Sequence, residues 1–392
     1  MCAEVVFAKD DGMRILTLTA GAALALSGAL LAVPLPATSA SAPATCAGRA
    51  VTVDLNDPDA VDPDRDRGDV VLGTPEPDTI RTGGGDDVVC GGAGYDRLDL
   101  GAGDDRGFGG EGDDILAGGR GNDVQVGGMG RDWVDYRRAD SLHLRLWSTY
   151  RQPTGLGNDA VRGIENVNGS RNGPNRITGD GGRNVIYGGL VEDEIHGAAG
   201  ADALYDGNLG DDVLYGDAGD DYIEARNGDD LVRGRAGDDE LHGDGGTDVV
   251  RGGDGDDVVD PGGSGSDEAE QGFGGTGNDL LVAGHLDDVL SGGRGNDTVS
   301  YGTIYTATPD GVRVDLAVTG PQDTLRAGTD ELVGIENLTG SPQADQLFGN
   351  GGPNLLDGLA GDDAITGRGG EDTCAGGDGM DTFIGCEATD GP

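Results

Sequence analysis

GGEGDDILAGGRGNDVQV, residues 109–126, is the stretch on which the fold turns. It is two copies of one nine-residue unit, Gly-Gly-x-Gly-x-Asp-x-aliphatic-x, and GGDGDDVVD (252–260) is a third near-ideal copy. The unit recurs 26 times in three arrays: seven from Gly73 to Asp135, fourteen from about Ser170 to Ser300, and five from Gly340 to Ile384. A fixed short period marks a solenoid, whose repeats bury their apolar residues only by stacking on one another. Position six is Asp in 23 of the 26 units, and position eight is Val, Ile or Leu in 21; the exceptions are Gly107, Gln125, Ala269, Cys374 and Phe383.

Each unit reads as a tight turn followed by a short strand whose middle residue points inward. Two units make one coil of 18 residues, so turns alternate between two edges. Asp87, Asp105 and Asp123 then stack on one edge and Asp96, Asp114 and Asp132 on the other. At the strand separation of roughly 4.8 Å, neighbouring carboxylates repel by about 1 kcal/mol in water and severalfold more inside a protein. A divalent cation between turns reverses the sign. Oxygen-only ligands in a flexible cage suit Ca2+, whereas Zn2+ wants nitrogen or sulfur and Mg2+ keeps its waters.

The units resemble the RTX (repeat-in-toxin) calcium-binding nonapeptides, and the likeness covers most of the chain. It implies an all-β fold: a right-handed parallel β-roll, a β-solenoid of stacked 18-residue coils, here with two longer inserted coils. It also implies that position-six aspartates hold multiple Ca2+ ions. The candidate ligands are Asp87, Asp96, Asp105, Asp114, Asp123, Asp132, Asp202, Asp212, Asp221, Asp230, Asp239, Asp248, Asp257, Asp279, Asp288, Asp297, Asp363, Asp372 and Asp381. Asn175, Asn184 and Asn354 depart from the pattern, and weak or no binding is expected at their turns. The competing reading is a disordered Gly/Asp tract, since 79 glycines and a net charge of −47 suit a chain without a core. Against it, a disordered tract has no reason to keep an aliphatic residue two places after nearly every aspartate. Without calcium a largely unfolded chain is expected.

The segment from Met13, apolar from Ile15 to Val33, reads as a secretory signal (1–44) cleaved after Ala40, Ala42 or Ala44, with Met13 as a candidate true start. A retained membrane anchor is the alternative. The expected localisation is secreted or extracellular, with no stable membrane insertion after cleavage. Removing the signal leaves Cys46, Cys90, Cys374 and Cys386, for which three pairings can be drawn. Cys46–Cys90 with Cys374–Cys386 is favoured because each would staple one end of the solenoid; free thiols are the alternative. Lys9 is the only lysine, and the Arg, Ala, Gly and Asp bias resembles secreted actinobacterial RTX-like proteins. The acidic balance argues against nucleic acid and anionic membrane as partners.

The expected organisation is an N-terminal cap or acidic linker (45–72), arrays at 73–135, 170–300 and 340–384, insertions at 136–169 and 301–339, and a tail at 385–392. The insertions copy each other: both carry an alternating strand (Leu142, Leu144, Leu146; Val312, Val314, Leu316) and end in Gly-Ile-Glu-Asn. They read as wider coils that project a loop. Trp133, Tyr136, Trp147 and Tyr150 in and beside the first suggest a recognition surface for an envelope, glycan or protein ligand, against the alternative of structural filler. Smaller slips fall at Asp206, Pro261 and Gln271 to Phe273. The acidic stretch 57–69 has Arg67 where an EF-hand loop needs Gly, and reads as a linker.

A catalytic constellation is not expected. The chain lacks His-Glu-x-x-His, a Gly-x-Ser-x-Gly elbow and a phosphate loop. His196 and His242 fall on opposite sheets and cannot share a metal; His143 and His285 lie in an insertion and a turn. Paired carboxylates here are read as ion ligands with low pKa values. The expected function is therefore a secreted calcium-binding roll with a structural or adhesive role. The alternative is a calcium-dependent polysaccharide lyase- or epimerase-like solenoid, or an accessory module of one. Ice binding would need an array like GGTGND (274–279), which occurs once.

Overall fold

The computed structural model describes residues 45–56, 67–262, 269–304 and 310–390. The segment read as a secretory signal, with its expected cleavage positions, and most of the acidic stretch 57–69 lie outside the described residues. Among the described residues the regular structure is entirely β-strand, and pairing along the roll is parallel. One face is a single 16-stranded sheet running from Thr79–Arg81 to Ala388–Asp390. The opposite face is divided into sheets of seven, ten and four strands.

The nine-residue pattern builds this directly. In Ile115–Ala117 only Leu116 is buried, and its fully buried neighbours Leu98 and Val134 lie above and below it in register. The facing column runs through Val89, Ile195, Leu214, Val232 and Val250. Burying one such side chain is worth roughly 1.5–3 kcal/mol, so the core is continuous but thin.

Where position eight is not aliphatic, a neighbour compensates. Leu100 packs against Gly107, where an added Cβ would lie 3.0 Å from its Cδ1. Gln125 is buried and donates from Nε2 to the Tyr136 hydroxyl at 2.9 Å. Ala269 does not point inward: it is exposed, and Gly272 takes the inward place beside Pro261 and Leu290. The extra residues that shift this register lengthen the coil, so that Asp257 meets Asp279 across 22 positions instead of 18.

The roll also reaches beyond the expected arrays. Val53–Asp54 pairs with Val70–Leu72 ahead of Gly73, and Ala388–Asp390 pairs with Thr373–Ala375 after Ile384. The segments read as linker and tail thus contribute strands. Cys46 is bonded to Cys90 and Cys374 to Cys386, closing the first and last coils.

Each insertion ends one sheet and starts the next. Asn158–Arg162 adds to Val124–Met129, and Gln152–Pro153 closes that edge in antiparallel fashion. Leu142–Arg145 then opens the ten-stranded sheet against Asn175–Thr178. The break is bridged by a side-chain amide: Gln152 Oε1 accepts the Arg145 N–H at 2.8 Å and its Nε2 donates to the Arg145 carbonyl at 2.9 Å. Gln322 repeats both contacts with Asp315 in the second insertion, at 2.8 and 3.2 Å.

Candidate metal centre

The position-six aspartates form two ladders, one along each edge. Asp96 N–H donates to Asp114 Oδ1 and Asp114 N–H to Asp132 Oδ1, both at 2.8 Å. On the other edge Asp87 donates to Asp105 at 2.8 Å and Asp105 to Asp123 at 2.9 Å. The second array continues both ladders, for example from Asp221 through Asp239 and Asp257 to Asp279. Of the aspartates read from the sequence, all are buried except Asp381, which is half-buried.

Except at Asp288, whose Oδ2 accepts the Gly284 N–H, one carboxylate oxygen of each aspartate is thus used within the ladder, and the other faces a different environment. Asp114 Oδ2, Asp123 Oδ2, Asp239 Oδ2 and their equivalents are buried without a hydrogen-bond partner. These oxygens point at the first glycine of their own unit. A Cβ added to Gly109 would lie 2.2 Å from Asp114 Oδ2 and 2.7 Å from the carbonyl of Gly127 in the next coil. The same pair of neighbours recurs at Gly91, Gly197 and Gly252. These turns are therefore oxygen-lined cradles of carboxylate and carbonyl that a side chain at the first glycine would fill. A donor set of oxygens alone fits Ca2+.

At neutral pH the electrostatics favour such an ion. Without a cation to offset it, burial pushes Asp105, Asp114, Asp123, Asp230, Asp239 and Asp248 up to about 7; donated backbone hydrogen bonds oppose the rise and neighbouring carboxylates add to it. The low values expected from the sequence are those of ion-bound carboxylates; in the bare ladder the shift is upward. A desolvated carboxylate disfavours its charge unless a cation supplies the missing attraction.

Several ladder members escaped the sequence reading. Asp159 accepts from Asp123 across 36 positions and Asp330 from Asp288 across 42, so each insertion returns an aspartate to the ladder. Both are held alike: Tyr136 and Thr154 hydroxyls donate to Asp159 Oδ2, and Tyr301 and Thr324 hydroxyls to Asp330 Oδ2. The Glu of each Gly-Ile-Glu-Asn serves the opposite edge, Glu165 accepting from Asp132 at 2.8 Å and Glu336 from Asp297 at 2.9 Å. Gly385-Cys386-Glu387 is a third copy, with Glu387 accepting from Asp372 at 2.7 Å. Asp193 and Asp345 are also ladder members, and Glu270 stands opposite Asp288 where the irregular coil has no aspartate in register.

The asparagines differ in kind. Asn175 Nδ2 donates to both Asp193 oxygens, at 3.0 and 3.1 Å, and to the Ser170 carbonyl at 3.0 Å. Asn184 and Asn354 donate to the Glu165 and Glu336 carbonyls at 2.9 and 2.6 Å. An amide hydrogen there supplies the positive end that other turns lack.

A second pair of ladders, formed by position five, is exposed and runs the other way. Asp104 N–H donates back to Asp86 Oδ1 at 2.9 Å, and Asp256 to Asp238 at 2.9 Å. The histidines do not converge: His196 lies on Glu194–Ala199 against Asp217, and His242 on Glu240–His242 of the 16-stranded sheet beside Glu240.

Oxygen cradles repeated along a parallel roll define a calcium-binding β-roll. Residues 65–98, 99–134, 171–204, 196–232, 206–240, 224–259, 233–269, 262–299, 333–363 and 348–383 match the RTX calcium-binding nonapeptide repeat, together more than half of the chain. The chain belongs to that family, and its ligand is calcium, bound as multiple ions. Among curated proteins none matches. A solved structure, a hyperactive, Ca2+-dependent, β-helical antifreeze protein from an Antarctic bacterium, is similar over 83% of this chain and 84% of its own at 18% identity. Its TM-score of 0.23 is too low to carry any argument.

Proposed function

We propose that this chain is a secreted roll that folds on meeting extracellular calcium and then serves a structural or adhesive role at the cell envelope or outside the cell. The observation that carries this reading is the set of buried Oδ2 atoms without partners along both edges. At neutral pH and above, such a ladder is compatible with folding only where a divalent cation is abundant, and metal binding and folding become one equilibrium. Two disulfides suit the same oxidising surroundings. The ions sit at the position-six aspartates read from the sequence, and Asp159, Asp330, Glu165 and Glu336 carry the ladders on where the insertions replace a repeat turn.

A partner would be met through the first insertion. Trp147 and Tyr150 are 61% and 81% exposed there, whereas Tyr136 is buried on Asp159 and belongs to the scaffold. Exposed aromatic rings on a rigid support are the residues most able to anchor a sugar face or protein surface. The test is retention of the protein on envelope and glycan fractions with calcium and with chelator, using wild type and a Trp147→Ala/Tyr150→Ala variant. Calcium-dependent retention that the double variant loses supports the reading. Equal retention by both proteins refutes the assignment of that surface.

A further inference from the structure

One turn of the second array breaks the cradle pattern. The unit after Tyr205 begins Asp206-Gly207, so a charged residue stands where most turns place glycine and the rest a neutral residue such as Leu100 or Ala225. One extra residue enters with it: Asp193 donates to Asp212 Oδ1, and Asp202 to Asp221 Oδ1, across 19 positions instead of 18.

The extra residue changes what faces the ion. At Gly109 a virtual Cβ meets the Asp114 carboxylate and the Gly127 carbonyl; at Gly188 it meets Asp193 Oδ2 at 2.6 Å and, in place of a carbonyl, Asp206 Oδ1 at 2.7 Å. Carboxylate oxygens of Asp193, Asp206 and Asp212 lie within 4.8 Å of one another. Asp206 is fully buried, and its Oδ1, like Asp212 Oδ2, has no hydrogen-bond partner. Asp206 Oδ2 accepts the Asn208 N–H at 3.2 Å, which holds the carboxylate with its other oxygen turned inward. No arginine or histidine is among the bonded partners of this trio: Asp193 is offset only by the Asn175 amide and the Gly189 N–H, and the inward oxygens of Asp206 and Asp212 by nothing.

We propose that Asp193, Asp206 and Asp212 form a three-carboxylate calcium site, different in donor set from the repeat cradles, and that it is the first site of the second array to fill. The inference rests on the reading that the cradles hold calcium. It adds that replacing a carbonyl dipole by a full charge raises affinity at this one turn, since carboxylate count is a main determinant of calcium affinity in oxygen cages. An ion bound here would fix the register of Asn175–Thr178, Glu194–Ala199 and Val213–Ala218 before the remaining turns close.

Calorimetric titration of the full, calcium-depleted chain with calcium tests it. Wild type should show one tight ion followed by a weaker class. Asp206→Asn should weaken the tight ion about tenfold or more and leave the weaker class in place. Asp257→Asn, on the opposite edge, should do the reverse, lowering the weaker stoichiometry by one and sparing the tight ion. Should Asp206→Asn fail to fold at saturating calcium, Asp206→Gly decides, because it installs the residue most turns carry and should convert the tight ion into an ordinary one. An Asp206→Asn isotherm that superimposes on wild type overturns the proposal, as does loss of the tight ion in Asp257→Asn alone. A wild-type chain that takes up no calcium defeats the underlying reading instead, and is distinguished by the absence of both classes.

Discussion

Removing calcium and then lowering the pH should fold the chain. Asp105, Asp114, Asp123, Asp230, Asp239 and Asp248 each rise from 3.8 to about 7 when buried without a cation, and each is at most 2% exposed. Between those two values the folded roll binds more protons than the unfolded chain. Stability of the calcium-free roll is therefore greatest at low pH and is lost as pH rises through about 7. A rise of that size is worth about 4 kcal/mol per group above the folded value. Ladder neighbours titrate together, so the contributions do not simply add. Even so, a few such groups match the whole stability of an ordinary domain, about 5–15 kcal/mol. The assay is far-UV circular dichroism in metal-stripped buffer, from about pH 8 to about pH 5, beside a series in millimolar calcium. The calcium-free chain should be largely unstructured at the upper end and gain β signal toward the lower, while the calcium series stays folded at the upper end. Full β structure at the upper end with no divalent ion present would refute the electrostatic argument, and indifference to acid would refute its desolvation component.

Three further outcomes follow from the same geometry. Gly109→Ala places a methyl 2.2 Å from Asp114 Oδ2, and should lower calcium stoichiometry by one in equilibrium dialysis while the distant array folds normally. Leu241→Ala opens a cavity in a fully buried column and should cost about 2–5 kcal/mol in the calcium-loaded protein, read by denaturant unfolding. Cys374→Ser with Cys386→Ser releases a link across 12 residues, worth about 3 kcal/mol, and should make the last coil the first site of proteolysis while leaving the first coil protected.

The repeating part of this molecule was legible because its determinants are local. Glycine, aspartate and aliphatic residue fall within one nonapeptide, so the alternation of Asp87, Asp105 and Asp123 with Asp96, Asp114 and Asp132 could be counted off. What was not legible depends on chain threading. Asp159 and Asp330 rejoin a ladder only after a coil of irregular length, and no spacing rule places them there. The glutamates did carry a signal: glycine, an apolar residue and glutamate follow one another at Gly163, Gly334 and Gly385, each with positive φ, and each time the glutamate accepts an aspartate N–H from the preceding coil. The exposed position-five ladder was equally visible as a run of Asp and Asn, but its hydrogen bonds are solvent-facing and leave no mark on the apolar pattern. Glu270 was hidden because the coil before it is longer than its neighbours, which moved the inward place from Ala269 to Gly272.

One face of the roll is an unbroken sheet and the other is cut twice, each cut spanned by the amide of Gln152 or Gln322. Flexure that spreads the segmented side strains a few side-chain contacts at two seams. Flexure that spreads the opposite side must tear a backbone ladder running the length of the rod. The molecule is thus a stay with a preferred direction of give, stiff against one sense of bending and hinged in the other at the places where its exposed tryptophan loop and its second insertion project.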